Sequence, residues 1–324
     1  MARQSSLNIA DYLTPQVMDN LAETLDGVVE NIQSSCVSEA LKSKNGSGDP
    51  TTGSVEYKRF ANAKLQDKGT ARTAGKGNKV EAKPITVNLD DDKEIIEELQ
   101  LKDIKLYGID GMAAKRSKNA KDVTKTYLDR KFFGIARDAG TQVARQNNDT
   151  VKKIVDRLIN TVKVTHNDFI DGVDESLVAL IVNTNYKSEL KDYLDSLPNG
   201  TEPSNGAIGM YQSVITYESN RMPSDVPAMV MLIGESVALP NYLSEYDAEK
   251  VPFDDAIALE LFVYAGGKAL VPECILYDCD YTYTKATIQA FVSGTTYYTY
   301  SNGEYTVVPS TATFDSTETY YTRA

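Results

Sequence analysis

Apolar positions along the chain change their period several times, and each change marks an element. In "LTPQVMDNLAETLDGVVENIQSSCVSEAL", Val17, Leu21, Leu25, Val28 and Ile32 recur every three or four residues, which places them on one face of a helix. Thr14 supplies an N-cap, and Pro15 a first helical position where the missing N–H costs nothing. Such a face suits either a core helix or an arm laid on another subunit. The Gly, Pro, Asn and Asp cluster of "KNGSGDPTTGS" (44–54) then reads as a loop.

Period two takes over next. Ile85, Val87 and Leu89 alternate in "VEAKPITVNL", so they share one side of a strand. That strand and "SVEYKRFANAKL" flank a glycine-spaced tip (about 65–79), and together they predict a long hairpin. A two-stranded ribbon of this kind is marginal by itself, so it is expected to lie on something.

Helical period returns in "KDVTKTYLDRKFFGIARDAGTQVARQNN", through Val123, Tyr127, Leu128, Phe132, Ile135, Ala136, Ala139 and Val143, with Asn147 and Asn148 marking the end. A second helix follows in "TVKKIVDRLINTV", a strand in "SLVALIVNT" (176–184) and a third helix in "NYKSELKDYLDSL". From Ala207 to Tyr277 the pattern is strand-rich. Helices first and sheets later make the class α+β. The last 44 residues, 281–324, read as a separate β module. "FVSGTTYYT" (291–299) recurs as "FDSTETYYT" (314–322), and Asn302-Gly303 supplies a tight hairpin turn between "YYTYS" and "EYTVV".

Composition and charge narrow the function. The apolar fraction of 41% and charged fraction of 25% in 324 residues are those of a globular protein with a sizeable core. No stretch approaches the roughly 18 apolar residues of a membrane helix, and "MARQSSLNIADYL" lacks a signal peptide's apolar region, so cytoplasmic synthesis without a membrane is expected. Cys36, Cys274 and Cys279 are too few for a disulfide framework. The net charge is −12, yet Ser54–Lys83 holds eight Lys and Arg against Glu56, Asp67 and Glu81. A basic segment on an acidic chain needs a partner: nucleic acid, a membrane or another copy of the chain. An acidic pI argues against general nucleic-acid binding.

Candidate chemistry is sparse. The single histidine, His166, builds neither a triad nor a two-histidine metal site and reads as a surface residue. Cys274 and Cys279 lack zinc spacing, "GKGNK" lacks the length and hydroxyl of a phosphate loop, and Cys274 reads as core. Asp90, Asp91 and Asp92 read as a solvated acidic face rather than a metal cluster. Tail tyrosines could stack on sugars, but cross-strand packing is the commoner use. No catalytic residue, cofactor or metal is expected, and no enzyme activity.

The order of parts resembles tailed-phage major capsid proteins, whose fold encapsulins share. "FDDAIALELFVYAGGKALVPECILYD" looks like that family's closing β-hairpin, and "YLDRKFFGIARDAG" like the start of its spine helix. The resemblance spans roughly residues 10–280. It implies an N-terminal arm (1–53), an E-loop hairpin (54–105), a peripheral domain with the spine helix (106–190), an axial domain (191–252), closing strands of the peripheral domain (253–280) and the appended module (281–324). It further implies pentamers and hexamers of an icosahedral head that encloses double-stranded DNA without sequence-specific binding. Scaffold, portal and decoration proteins are the expected further partners, and the virion is the expected location. In such shells the E-loop lies over a neighbour, so Lys64, Lys68, Arg72, Lys76 and Lys79 are expected to carry an inter-subunit contact. Their acceptors fall in 90–98, including Asp90, Asp91 and Asp92, or in 245–255, including Glu245, Asp247, Asp254 and Asp255. The Lys–Asn isopeptide weld of some relatives finds no identifiable Asn and Glu here. The alternatives are an encapsulin-like nanocompartment, or a phage structural protein whose C-terminal module binds glycan or a host surface.

Overall fold

A computed structural model describes residues 36–63, 67–68, 82–100, 109–143, 145, 149–194, 207–211, 213–244, 247–250, 256–279, 283–292, 295–301, 304–309 and 312–323. Most of the expected N-terminal helix lies outside them. Cys36 is extended at φ −80°, ψ 137°, and a separate short helix, α1 (Val37–Leu41), follows it. The helical pattern therefore does not run unbroken to Leu41.

The hairpin forms as expected. β1 (Ser54–Phe60) and β2 (Ala82–Asn88) pair antiparallel, from Ser54 opposite Asn88 to Phe60 opposite Ala82. β3 (Asp91–Gln100) follows, then the long helix α2 (Ile109–Ala139). At 31 residues and about 1.5 Å each, α2 is about 46 Å long. "YLDRKFFGIARDAG" is thus the end of this helix, not its start. The chain stops being helical at Gly140, whose N–H reaches Ala136 O at 2.9 Å and where a Cβ would sit 2.8 Å from Ile275. Val143, expected on the helix, instead donates to Tyr277 O at 2.9 Å. Val123 also departs from the expected apolar face: it is 52% exposed.

β4 (Thr141–Gln142), α3 (Val151–Lys163), β5 (Val178–Val182), α4 (Thr184–Leu194), β6 (Ala207–Tyr211), β7 (Val214–Glu218) and β8 (Ala228–Leu232) come next. With β14 (Leu276–Asp278) they build a six-stranded sheet in the order β4-β14-β8-β5-β7-β6. Its central strands are unbroken apolar runs because both faces are covered. Val178, Leu180 and Val182 of β5, with Ala228, Val230 and Leu232 of β8, meet Ile154, Val155, Leu158 and Val162 of α3. The alternate residues Ala179, Ile181, Met229 and Met231 belong to the core of Leu128, Phe132, Phe133 and Ala136 on α2. Boundaries expected at residues 190 and 252 do not divide this sheet, since its strands come from 141–142, 178–182, 207–232 and 276–278.

β12 (Ala256–Ala265) pairs along its length with β3, Ala265 opposite Asp91 and Ala256 opposite Gln100. On its other edge lie β10 (Asn241–Leu243) and β11 (Asp247–Lys250). The expected closing hairpin between this strand and the segment after Gly267 therefore does not form: β12 goes to β3, and β14 goes to β8. Two short strands, β9 (Val237–Ala238) and β13 (Lys268–Ala269), bridge the sheets. The glycine pair has a packing reason. A Cβ on Gly266 would lie 1.9 Å from Asn88 O, and one on Gly267 2.1 Å from Ile135 Cδ1.

Buried carboxylates tie distant segments to this frame. Asp129, fully buried on α2, accepts from Ser38 N at 3.0 Å, Ser38 Oγ at 2.6 Å and Arg221 at 2.8 Å. Asp278 takes Arg145 through both oxygens, at 2.7 and 2.6 Å, and Tyr186 Oη at 2.6 Å. The C-terminal module is a four-stranded sheet of β15 (Tyr283–Lys285), β16 (Tyr297–Ser301), β17 (Glu304–Val307) and β18 (Tyr320–Arg323), ordered β15-β18-β16-β17.

Gly266→Ala should lower stability by about 3 kcal/mol, because a backbone oxygen has no room to retreat. Gly134→Ala, on α2 with nothing within 4 Å of its Cβ, should be neutral or gain about 0.5–1 kcal/mol. Thermal melting of the two variants checks the contrast.

Candidate assembly interface

The base of the hairpin is bound to its own subunit. Val55, Tyr57 and Val87 are buried and Ile85 and Leu89 pack beside them, in the core shared with α3 and the sheet. The expected alternation of Ile85, Val87 and Leu89 thus serves intrachain packing. Arg59 forms an ion pair with Glu273 and stacks over Phe169, 4.4 Å from the ring centroid. Asn167 Nδ2 donates to the same carboxylate at 2.8 Å, and Asn62 N donates to Asp168 O at 2.9 Å. Lys58 pairs with Glu56 at 3.5 Å, so among the described residues two of the eight basic residues of the hairpin are paired within their own chain.

The second strand is held where it turns into β3. Asp91 accepts from Lys131 at 2.8 Å and from Tyr127 Oη, and pairs with Lys93 at 3.1 Å. Lys131 also donates to Ala265 O at 3.1 Å, tying α2 to the end of β12. Burial alone would raise the Asp91 pKa, but these hydrogen bonds outweigh it and hold the carboxyl well below the usual range. Glu273 is likewise lowered: burial opposes the shift, and the bonds from Arg59 and Asn167 carry it.

The expected acceptors separate accordingly. Asp90 and Asp92 are exposed, as a solvated acidic face requires, whereas Asp91 is occupied within its own chain. Asp247 lies on β11, opposite Glu260. Of the expected tip cations, Lys68 is exposed in a turn. Lys64, Arg72, Lys76, Lys79, Glu245, Asp254 and Asp255 lie outside the described residues.

The two acceptor segments that the sequence leaves as alternatives contribute strands to one sheet, since β3 and β11 (Asp247–Lys250) both pair with β12. On β3, Asp91, Ile95 and Glu97 turn toward α2, where Glu97 binds Arg116 and Ile95 joins the core. Asp92, Glu94, Ile96 and Glu98 alternate with them and are exposed. Their cross-strand neighbours are Tyr264, Phe262, Glu260 and Ala258, and Tyr242 of β10 stacks on Tyr264 at 5.9 Å. The result is an outward face of carboxylates around exposed Ile96 and half-buried aromatics. Reading "DDDKEIIEELQ" as a charge run misses it. The period-two sorting of Asp92, Glu94, Ile96 and Glu98 is its only signal in the sequence.

A second basic element also escapes a charge count centred on the hairpin. Helix α2 holds eight Lys and Arg against four Asp. Three of these cations serve its own chain, Arg116 on Glu97, Lys131 on Asp91 and Arg137 on Asp225. His166 is an exposed loop residue with Nδ1 2.8 Å from Asp171. The three cysteines are buried thiols, and burial pushes the Cys274 thiol up to about 11. No group of metal-ligating side chains occurs among the described residues, and no described helix is long and apolar enough to cross a membrane.

No protein-family model matches the sequence, and no curated protein aligns with it significantly. Solved structures do match. The capsid of cyanophage P-SCSP1u aligns with a TM-score of 0.50 at 12% identity, over 74% of this chain and 85% of that one. The capsid of an empty GTA particle aligns with a TM-score of 0.50 at 8% identity, over 76% and 89%. At these identities the likeness is one of fold: the chain has the α+β fold of phage major capsid subunits.

Both carboxylates that clamp the hairpin have lowered pKa values. They stabilise its docking fully above the unfolded carboxylate range, near pH 4, and lose that contribution as pH falls below it. Amide exchange in β1 and β2 should therefore quicken as pH drops from about 5 to about 3, after correction for intrinsic rates. Asp91→Asn should show faster exchange at neutral pH and a smaller further change on acidification.

Proposed function

We propose that this chain is the major capsid protein of a tailed phage, a subunit that assembles into pentamers and hexamers of an icosahedral head around double-stranded DNA. The observation that carries the reading is the pairing of the capsid fold with two surfaces of opposite sign: a basic hairpin fixed at its base, and an exposed carboxylate face on the β3–β12 sheet. A head-to-tail contact between such surfaces repeats around a ring and closes by rotation. In this account Lys64, Lys68, Arg72, Lys76 and Lys79 of one subunit meet Asp92, Glu94, Glu98, Glu260 and Asp247 of the next. Asp90, Glu245, Asp254 and Asp255 extend the acceptor set, and Asp91 stays with Lys131. Helix α2 with the β3–β12 sheet serves as the peripheral domain, and the six-stranded sheet as the axial domain.

Each exposed ion pair contributes only about 0–1 kcal/mol. Charge therefore selects partner and register, while apolar contact around Ile96 and the exposed Phe60 supplies most of the adhesion. The role is structural rather than catalytic. Net negative charge lets packaged DNA move past the wall without sticking. Scaffold, portal and decoration proteins are further partners in this reading, while the shell contacts themselves are made between copies of this chain.

Reversing Lys68, Arg72 and Lys76 to Glu should abolish rings and shells while the melting temperature stays near that of the parent. Normal shells from this variant would remove the charge contact from the account. Deleting 281–324 should leave assembly intact, because the tail forms its own sheet; a chain that still assembles but loses attachment to cells or glycan would place a binding role in the tail.

A further inference from the structure

The C-terminal sheet is two copies of one unit that complete each other. The first copy contributes β15, Phe291 and β16; the second contributes β17, Phe314 and β18. The strand order β15-β18-β16-β17 puts each copy's first strand beside the other copy's second strand. The two second strands pair in the middle, with Tyr298 opposite Tyr321. These are equivalent residues of the repeat, and the flanking pairs Tyr297–Thr322 and Thr299–Tyr320 exchange equivalents as well. A local twofold axis therefore passes between Tyr298 and Tyr321.

Contacts around the axis obey the same symmetry. Phe291 lies 5.1 Å from Tyr297 at 35°, and Phe314 lies 5.4 Å from Tyr320 at 33°. Tyr297 Oη accepts from Val292 N at 3.3 Å, and Tyr320 Oη from Asp315 N at 3.1 Å. Ala286 N reaches Tyr320 O at 2.8 Å, and Val308 N reaches Tyr297 O at 2.9 Å. Across the axis Phe291 and Phe314 meet edge to face at 5.5 Å. In a single copy, β15 has no strand to pair with and β16 loses both the partner strand and half of the aromatic cluster.

We infer that the repeat is a self-recognising strand-exchange unit, whose binding partner is a second copy of the same repeat. In this chain the partner is supplied in cis, so the module is closed on itself; in a chain with one copy it must come from another molecule. Recognition rests on main-chain pairing along an exposed strand, with the Phe–Tyr pairs setting register. The inference stands apart from shell assembly, because it concerns only 283–323.

The test uses disulfides at the axis, where facing residues of an antiparallel pair come within about 4.5–5.5 Å, inside the span of a disulfide. Tyr298→Cys is placed in the full chain and in a chain ending at residue 303, and Tyr298→Cys/Tyr321→Cys in the full chain. After mild oxidation, a non-reducing denaturing gel should show the shortened variant mainly at twice its monomer mass. The full-length single variant should stay monomeric, and the double variant should lose two titratable thiols without dimerising. A shortened chain that stays monomeric while the double variant closes overturns the proposal. So does a full-length single variant that dimerises as readily as the shortened one, or a double variant that keeps its thiols.

Discussion

At Gly266–Gly267 the chain passes so close to its surroundings that a methyl group would collide with the backbone of Asn88 on one side and with Ile135 of the long helix on the other. The rest of the molecule is arranged around that crossing. Gly266 N donates to Pro240 O at 3.0 Å, Leu89 N to Gly53 O at 2.9 Å, and Lys131 bridges Ala265 O and Asp91. The hairpin base, the spine helix, the β3–β12 sheet and the path to the six-stranded sheet thus converge within a few residues. The point at which the arm leaves the body is set by sterics, which tolerate little variation, rather than by surface charge.

Rigid anchorage changes what the basic segment can do. Held by Arg59 on Glu273 and by Asp91 on Lys131, the base cannot swing freely. In the proposed assembly, the entropy of positioning the hairpin base is thus met during folding rather than on contact with a neighbour. What then remains for a neighbour in that assembly is chemistry at the tip and a receiving face of opposite sign. The carboxylates of β3 are divided by strand alternation between these tasks: Asp91 and Glu97 hold the subunit together, while Asp92, Glu94 and Glu98 face outward.

Much of this was legible in the sequence, and the failures have physical causes. Ile85, Val87 and Leu89 announced a strand, and the hairpin register follows from it. The runs "VALIV" and "AMVML" are continuous because helices cover both faces of their sheet. Two misreadings came from local pattern. Val143 continues the helical period, but tertiary hydrogen bonding to Tyr277 after Gly140 takes it into the sheet. "ALELFVYAGGKALVPECILYD" reads as a hairpin because glycines usually mean a turn. Here they mean a close approach, and β12 pairs with β3, which lies more than 150 residues earlier. Such long-range pairing leaves no mark in a local window. Of the proposed interface, the sign of each charged segment was readable. The meeting of β3 and β11 in one sheet was not, because β12 is what joins them.

The central claim is that this subunit builds shells through repeated contacts between copies. Negative-stain microscopy with particle-mass measurement on the purified full-length protein tests it most directly. The account expects five- and six-membered rings or closed icosahedral particles. A protein that stays a 35.6-kDa monomer at every concentration would contradict it.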